Sequence, residues 1–233
     1  VWEDAANNGV FDAGTDAPLA GATVSLFAGD GTTPAADANG NPVAAQTTLA
    51  DGLYLFTNLA PGQYVVRATP PSGFRSSSDV STSANPNNDT DNDDNGVVSG
   101  GVVASGPVTL SSHGEPPAGV DSDDTAGNLS VDFGFYQPLR LGDIVWEDRT
   151  NDGFFDPEFD APLAGAVVSL FAGDGTTPAV DADGNAVASQ TTGADGLYLF
   201  TNLAPGSYVV KVTAPAGFRS SSDGESTPFP NND

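Results

Sequence analysis

The sequence predicts an all-β protein made of antiparallel β-sandwiches in tandem, and three observations support that class. Short runs rich in Val, Leu, Phe, Tyr and Thr recur along the chain, and none shows helical periodicity. Turn-forming combinations such as GDGTTP and APG separate these runs, and Gly (28) and Pro (18) are frequent among the 233 residues. About seven such strands in each unit of roughly 140 residues are typical of a sandwich.

The unit is repeated within the chain. Residues 1–89 and residues 145–233 are identical at 65 of 89 positions, which is an internal duplication. The second copy follows the lead-in sequence RLGDI (140–144), for which the first copy has no counterpart. We expect a nearly complete first repeat over 1–138 and a second repeat over 139–233 that lacks the C-terminal acidic segment and last strand. We also expect an array with further units on one or both sides.

The strands of one unit are expected in a fixed order along the first copy. They are ATVSLFAG (22–29), LYLFTNL (53–59), QYVVRAT (63–69), the stretch GVVSGGVVASGPVTL (96–110), and NLSVDFGFY (128–136). The stretch 96–110 is expected to run out and back as paired strands. The sequence LAPGQY before the third of these strands fits a corner capped by Tyr64, repeated as Tyr208, and we interpret this tyrosine as part of the core.

The charge of the chain limits its partners. Asp and Glu number 31 against 6 Lys and Arg, so the formal net charge is −25. Nucleic acids and anionic membranes are therefore excluded as partners, because the dominant phosphate contribution to binding would be repulsive, whereas cations are attracted. The absence of Cys and the single His113 exclude thiolate and multi-histidine zinc sites. No apolar run approaches the ~18 residues of a membrane span.

The first candidate cation site is the loop 4–16, together with its copy 148–160. Oxygen-bearing side chains surround Gly9, which allows a sharp turn, and Ca²⁺ takes about six to eight oxygen ligands from such loops. The alternative is an acidic surface turn. The predicted ligands are Asp4, Asn7, Asn8, Asp12 and Asp16 in the first copy, and Asp148, Asn151, Asp152, Asp156 and Asp160 in the second.

The second candidate site is the acidic stretch NDTDNDDNG (88–96), which has a matching cluster just before the last strand. Strands over 96–110 would bring the two clusters to one end of the sandwich. Unit charges ~4 Å apart repel by ~4 kcal/mol at an effective dielectric of 20, so such a meeting requires cations. A disordered acidic spacer is the alternative. The predicted ligands are Asp89, Asp91, Asp93, Asp94, Asp121, Asp123 and Asp124.

A third candidate is the turn DANGN in the first copy, which recurs as DADGN in the second. Hairpin-turn chemistry alone accounts for these residues, and a further metal site is the competing interpretation. The residues concerned are Asp37, Asn39, Asp181 and Asp183.

Four motifs resemble, in the right order, the B-type repeats of serine-aspartate-repeat bacterial surface adhesins. They are GDIVWED with NDGFFD, DGLYLFTNLAPGSYVV, NNDTDNDDNG and NLSVDFGFY, and the resemblance covers nearly the whole chain. It implies Greek-key β-sandwiches of the collagen-adhesin B type that bind several Ca²⁺ ions and stand in tandem outside the cell, on its surface or in the matrix. By position, Asp4, Asn8, Asp12, Asp148, Asp152 and Asp156 match the first calcium loop of that family, whereas Ala6 and Asp16 depart from it.

These observations predict a structural protein rather than an enzyme. The expected function is a calcium-rigidified repeat of a surface protein, fibre or matrix stalk that mediates projection, adhesion or assembly. The expected partners are neighbouring repeats, or subunits of the same protein that complete the second repeat and so form a homopolymer. The alternative is a sandwich that binds a carbohydrate or a protein, which requires an exposed aromatic platform. Both Trp residues instead occupy the same repeat position beside the acidic loop, which suits packing.

Overall fold

A computed structural model describes residues 1–77, 85–87, 92–115 and 127–221 of the chain. Those residues form seventeen strands and no helix, which confirms the all-β class. The chain divides into two compact units, Val1–Pro138 (unit 1) and Leu139–Asp233 (unit 2). In the part of the chain that the structure describes, no helix is long and apolar enough to cross a membrane.

The described residues of unit 1 form ten strands in two sheets. In chain order they are β1 (Trp2–Glu3), β2 (Ala17–Pro18), β3 (Thr23–Ala28), β4 (Gln46–Thr47), β5 (Gly62–Thr69), β6 (Arg75–Ser76), β7 (Val97–Ser99), β8 (Val102–Ala104), β9 (Val108–Leu110) and β10 (Gly134–Tyr136). One sheet has the order β2–β1–β10–β6, and the other has the order β4–β3–β5–β8–β7 with β9 also paired to β5.

The long pair β3 and β5 builds the centre of the larger sheet. It pairs antiparallel from Thr23 opposite Thr69 to Ala28 opposite Tyr64. Val24 and Leu26 alternate along β3 as buried residues, as expected for a strand with one face on the core. The same core contains the fully buried Phe135 of the smaller sheet, so the two sheets pack around one shared core as a sandwich.

The smaller sheet contains a parallel pair that the antiparallel prediction did not include. Strand β1 runs parallel to β10, with Trp2 opposite Gly134 and Glu3 opposite Phe135. The glycine makes this approach possible, because a Cβ at position 134 would lie 3.0 Å from the Trp2 ring and 2.8 Å from the Ser77 hydroxyl. The first and last strands of unit 1 are therefore neighbours.

Seven strands lie within residues 139–221, the part of unit 2 that the structure describes. They are β11 (Leu139–Ile144), β12 (Trp146–Glu147), β13 (Ala161–Pro162), β14 (Val167–Ala172), β15 (Gln190–Thr191), β16 (Leu197–Leu203) and β17 (Tyr208–Thr213). They pair as β11–β16, β12–β13 and β15–β14–β17. The β14–β17 register repeats that of β3 and β5, and Val168, Leu170, Phe200 and Leu203 are buried in the core of this unit.

Two strand predictions need correction. The prediction of a strand at 53–59 is wrong for unit 1, where the segment joins no ladder with the residues that the structure describes, although the identical sequence forms β16 in unit 2. The difference arises because a strand needs a partner, and β16 has β11. The predicted strand at 128–136 is confirmed only over Gly134–Tyr136, whereas the stretch 96–110 does contain the expected hairpin, β7 and β8.

The predicted tyrosine corner is present in both units. The Tyr64 hydroxyl donates to the carbonyl of Ala60 at 2.7 Å, and the Tyr208 hydroxyl donates to that of Ala204 at 2.8 Å. Tyr64 is buried in the core, as expected, and Tyr208 is half-buried.

Candidate metal centre

The carboxylate of Asp4 organises the loop 4–16 of unit 1. Asp4 follows β1, and its backbone N–H donates to the carbonyl of Phe135 at 2.7 Å, which fixes it against the last strand. The side chain is 0% exposed and accepts the N–H of Asn8 at 3.1 Å and of Gly9 at 2.8 Å. Asp4 is thus held inside the loop, where it satisfies two backbone donors.

A second carboxylate closes the other half of the same loop. Asp16 accepts the N–H of Ala5 at 3.0 Å and that of Asp12 at 2.9 Å. The Asn8 amide donates to the Asp12 carboxylate at 3.0 Å. Asn7 has a left-handed conformation with φ 52°, and its N–H donates to the Asp4 carbonyl at 3.2 Å. The structure therefore brings four of the five predicted side chains into one hydrogen-bonded turn, those of Asp4, Asn8, Asp12 and Asp16, and Asn7 joins it through its backbone.

The copy of this loop in unit 2 has the same pattern, with more exposure around Asp148 and less at Asp160. Asp148 is half-buried and accepts the N–H groups of Asp152 at 3.3 Å and Gly153 at 2.9 Å. Burial opposes its ionisation, but these hydrogen bonds and one from the Asn151 N–H outweigh that effect and lower the pKa of Asp148. Asp160 is buried and accepts the N–H groups of Arg149 and Asp156 at 3.0 and 2.9 Å, as Asp16 does for its own loop.

The described part of the acidic stretch packs directly on the loop of unit 1. Asp93 and Asp94 are buried, at 4% and 2% exposure. The N–H of Asp94 donates to the carbonyl of Gly9 at 2.9 Å, and the N–H of Phe11 donates to the carbonyl of Asn92 at 2.8 Å. Gly9 therefore lies between Asp4, which accepts its N–H, and Asp94, which donates to its carbonyl. The other predicted ligands of the second site lie outside the described residues: Asp89, Asp91, Asp121, Asp123 and Asp124.

Two further residues, which the sequence analysis missed, belong to the same place. Asn95 is 0% exposed, accepts the N–H of Asp132 at 2.8 Å and donates to the Asp93 carboxylate at 3.2 Å. The Asp132 carboxylate accepts the N–H of Asn92 at 3.3 Å. The signal for Asp132 was its polar position inside the apolar run NLSVDFGFY. We call the set Asp4, Asp93, Asp94, Asn95 and Asp132 the acidic centre of unit 1.

Asp94 also connects the acidic centre to the last strand. Its carboxylate accepts the N–H of Gly96 at 2.8 Å and the N–H of Gly134 at 3.2 Å. A side chain at position 96 would meet this carboxylate at 2.9 Å and the Phe133 ring at 3.0 Å. Any change in the charge of Asp94 therefore acts on the junction between the acidic stretch and β10.

The donor chemistry of the acidic centre fits a hard cation. Its side chains offer carboxylate and amide oxygens only, which are the ligands that Ca²⁺ takes. As they are placed, no three Asp, Glu or His side chains of the described ranges lie close enough together to hold a metal ion. The described residues thus supply the ligand type and the burial, and metal binding by them remains a prediction.

The third candidate is an exposed turn in both units. The Asp37 carboxylate accepts the N–H groups of Asn41 at 2.8 Å and Asn39 at 2.9 Å, and the Asn58 amide donates to it at 3.1 Å. These bonds, that from the Asn41 N–H first, lower the pKa of Asp37. In unit 2, Asp181 accepts the N–H groups of Asp183 and Asn185 in the same way. Turn chemistry accounts for this geometry, and metal binding here stays a prediction.

Neither tryptophan forms an exposed platform. Trp2 is 3% exposed and meets the Phe11 ring edge-on, with ring centroids 6.0 Å apart. Trp146 is half-buried and packs in the same way on Phe155 at 5.8 Å. The position of both residues supports the packing interpretation over an aromatic ligand-binding surface.

Comparison with known proteins identifies the family. The model of the SdrD B-like domain matches residues 1–113 and 139–229. The chain is 31% identical over 219 residues to serine-aspartate repeat-containing protein F of Staphylococcus epidermidis, covering 94% of this chain and 10% of that protein. It is 34% identical over 221 residues to serine-aspartate repeat-containing protein D of Staphylococcus aureus strain Newman, covering 94% and 13%. The chain therefore spans about a tenth of the length of these relatives.

Solved structures with similar chains include bacterial pilins. A streptococcal ancillary pilin matches with a TM-score of 0.32 and 16% identity, covering 88% of this chain and 52% of that one. A shaft pilin of Lactobacillus rhamnosus GG matches with a TM-score of 0.29 and 15% identity, covering 96% and 91%.

The family match confirms three expectations drawn from the motifs. This chain is a structural repeat and not an enzyme domain, and it belongs to the extracellular cell surface. It is a repeat of the kind from which stalks of surface proteins are built. The chain belongs to the SdrD B-like domain family, the B-type repeats of serine-aspartate-repeat surface adhesins.

Proposed function

We propose that this surface repeat is rigidified by Ca²⁺ bound at the acidic centre, and that the ion joins the acidic stretch and the last strand to the loop 4–16. The observation that carries the proposal is the burial of three carboxylates, those of Asp4, Asp93 and Asp94. The Asp4 carboxylate and the Asp94 N–H both hydrogen-bond to Gly9. A metal ion that is coordinated by buried carboxylates offsets the cost of burying their charge. A divalent cation is the neutralising partner that a chain with a net charge of −25 attracts.

Calcium acts here as a folding ligand. An ion that binds only the folded state stabilises it by RT ln(1 + [L]/Kd), which is about 2.7 kcal/mol at a concentration one hundred times the Kd. In unit 1 the ligands would come from the acidic centre together with Asn8 and Asp12 of the loop. In unit 2 the loop around Asp148 is more exposed, so we expect weaker binding there.

The proposal extends to the partners of unit 2. Phe154 and Phe159 of its loop are 53% and 56% exposed. The residue of unit 1 that corresponds to Phe154 is Val10, which forms a β-bridge with Asp93 of the acidic stretch. A neighbouring repeat or a neighbouring subunit that supplied such a stretch would cover this aromatic surface. In a homopolymer, each subunit would supply the acidic stretch that covers Phe154 and Phe159 of the next one, with calcium bound where the two subunits meet.

The test compares thermal unfolding of the chain with Ca²⁺, with Mg²⁺ and with EDTA. Calcium should raise the melting temperature and protect residues 87–96 from proteases, and Mg²⁺ should do so poorly because it requires a rigid octahedron and gives up its water reluctantly. Asp93→Asn and Asp12→Ala should reduce the calcium-induced shift of unit 1, and Asp156→Ala that of unit 2.

The matched control is Asp30→Ala. Asp30 lies in an exposed turn and holds the N–H groups of Thr32 and Thr33 at 2.8 Å, away from the acidic centre. This change should leave the calcium-induced shift intact. Equal melting temperatures with calcium and with EDTA would contradict the proposal. So would a calcium-induced shift that falls as much in Asp30→Ala as in Asp12→Ala.

A further inference from the structure

Asparagine is followed directly by glycine at three places in the chain, and all three lie in unit 1. The pairs are Asn8–Gly9, Asn39–Gly40 and Asn95–Gly96. Asparagine in such a pair can react with its own backbone, because glycine has no side chain to hinder attack of its nitrogen on the asparagine side chain. The structure places the three pairs in different surroundings, and these surroundings determine which pair is free to react.

The pair Asn95–Gly96 is held firmly in the interior of unit 1. The Asn95 side chain accepts the N–H of Asp132 at 2.8 Å and donates to the Asp93 carboxylate at 3.2 Å. The Gly96 N–H donates to the Asp94 carboxylate at 2.8 Å, and both residues of the pair are buried. The amide and the nitrogen that would attack it are therefore both engaged elsewhere.

The pair Asn8–Gly9 is held in a similar way by its own loop. The Gly9 N–H donates to the buried Asp4 carboxylate at 2.8 Å. The Asn8 amide donates to the Asp12 carboxylate at 3.0 Å, and its oxygen accepts the Val10 N–H at 2.9 Å. Because a hydrogen bond to a carboxylate is charge-assisted and stronger than one to a neutral oxygen, the Gly9 nitrogen is not free to attack the side chain.

The pair Asn39–Gly40 lacks these restraints. Both residues are exposed, and no hydrogen bond joins the Asn39 side chain to another described residue. The Gly40 N–H donates to the neutral carbonyl of Asp37 at 2.9 Å, and such a bond opens at low cost in an exposed turn. A Cβ at position 40 would meet no atom within 4 Å, so the backbone has room to turn towards the side chain.

The copy of this turn in unit 2 carries an aspartate at the same position. Asp183 stands where unit 1 has Asn39, and it is also followed by glycine. The Asp183 carboxylate accepts the side-chain amide of Asn202 at 2.9 Å. The corresponding amide of unit 1, that of Asn58, donates to the Asp37 carboxylate at 3.1 Å. An aspartate at position 39 would therefore find a hydrogen-bond donor in place, and unit 2 shows that the turn accommodates it.

We propose that Asn39 is a site of spontaneous deamidation, which converts the turn of unit 1 into the aspartate turn of unit 2. The Gly40 nitrogen loses its proton to hydroxide and attacks the side-chain carbonyl carbon of Asn39. The side-chain NH₂ takes a proton from water and leaves as ammonia, and water then opens the succinimide ring to aspartate or isoaspartate. The aspartate adds one negative charge and accepts the Asn58 amide. This inference does not depend on calcium binding.

The experiment follows the three pairs within one molecule. The folded chain is incubated with Ca²⁺ in mildly alkaline buffer, and peptide mapping by mass spectrometry measures the conversion of Asn8, Asn39 and Asn95 over time. The matched control is the same chain unfolded in urea, where the surroundings of the three pairs no longer differ. A second measurement records the NMR signal of the Asn58 side-chain amide in the original chain and in an Asn39→Asp variant.

We expect Asn39 to convert at least tenfold faster than Asn8 or Asn95 in the folded chain, and this preference should disappear in urea. The Asn58 amide signal should move in Asn39→Asp. Conversion of Asn39 no faster than that of the other two in the folded chain would overturn the proposal. The same preference in urea would overturn it as well, because the sequence rather than the structure would then be its cause. An unmoved Asn58 signal would overturn the proposed contact of the product.

Discussion

Replacing Asp4 with alanine should destabilise unit 1 by about 2–4 kcal/mol even without calcium. The Asp4 carboxylate is 0% exposed and accepts the N–H groups of Asn8 and Gly9 at 3.1 and 2.8 Å. Each buried donor left without an acceptor costs about 1–3 kcal/mol. The Asn8 N–H is only partly buried, which places its contribution at the low end of that range.

The matched substitution is Asp148→Ala in unit 2. Asp148 fills the same role, but it is half-buried and the N–H of Asp152 is exposed, so water can replace the lost acceptor. We therefore expect a clearly smaller loss of stability in unit 2 than Asp4→Ala causes in unit 1. The comparison isolates burial, because the loop and its hydrogen bonds are otherwise alike.

Urea unfolding in EDTA, followed by tryptophan fluorescence, measures both losses. Each unit contains one of the two Trp residues, so a Trp146→Phe background reports on Trp2 in unit 1, and a Trp2→Phe background reports on unit 2. A loss below about 1 kcal/mol for Asp4→Ala would refute the reasoning from unsatisfied donors. An equal loss for Asp148→Ala would refute the role given to burial.

Three other predictions concern the fold and its turns. Gly40→Ala should cost about 1 kcal/mol, for its positive φ alone. Gly52→Ala should cost clearly more, because its new Cβ would also clash with the backbone carbonyl oxygen of Val1, and equal losses in urea unfolding would contradict this. Phe133→Ala should destabilise unit 1 by about 3–5 kcal/mol in the same assay, since the ring is 0% exposed, and a loss below 1 kcal/mol would be inconsistent with its burial. NMR titration should find the pKa of Asp30 at about 2, lowered mainly by the hydrogen bond from the Thr33 hydroxyl. The ionised Asp30 carboxylate therefore stabilises the fold fully above its ordinary pKa of 3.8, and this contribution disappears as the pH falls through about 2. An unshifted pKa would contradict the turn geometry.

Local patterns were sufficient to predict the all-β class and the central strands. The alternation of Val24 and Leu26 and the turns around them are properties of neighbouring residues, and β3 forms where that pattern predicts it. The hydrogen-bonded turn of residues 4–16 follows from the spacing of short oxygen-bearing side chains around Gly9 in the same way. Predictions of this kind require no knowledge of the distant chain.

Contacts between segments that are distant in the chain could not be predicted from local sequence patterns. Charge repulsion alone did not indicate that Asp94 packs on Gly9, because that contact depends on backbone hydrogen bonds across most of the unit. Asn95 was missed for the same reason, since its partner Asp132 lies 37 residues further along the chain. The segment 53–59 shows the limit most directly, because seven identical residues form a strand in one unit and none in the other.

The parallel pairing of β1 with β10 determines how unit 1 resists being pulled at its ends. A load applied between the start of the first strand and the end of the last one slides these two neighbours past each other lengthwise. The bonds from the Trp2 N–H to the Phe133 carbonyl (3.0 Å) and from the Asp4 N–H to the Phe135 carbonyl (2.7 Å) then bear the force together, in shear. An antiparallel pair at the same place would peel apart one bond at a time. The topology therefore suits a repeat that transmits tension along a tether.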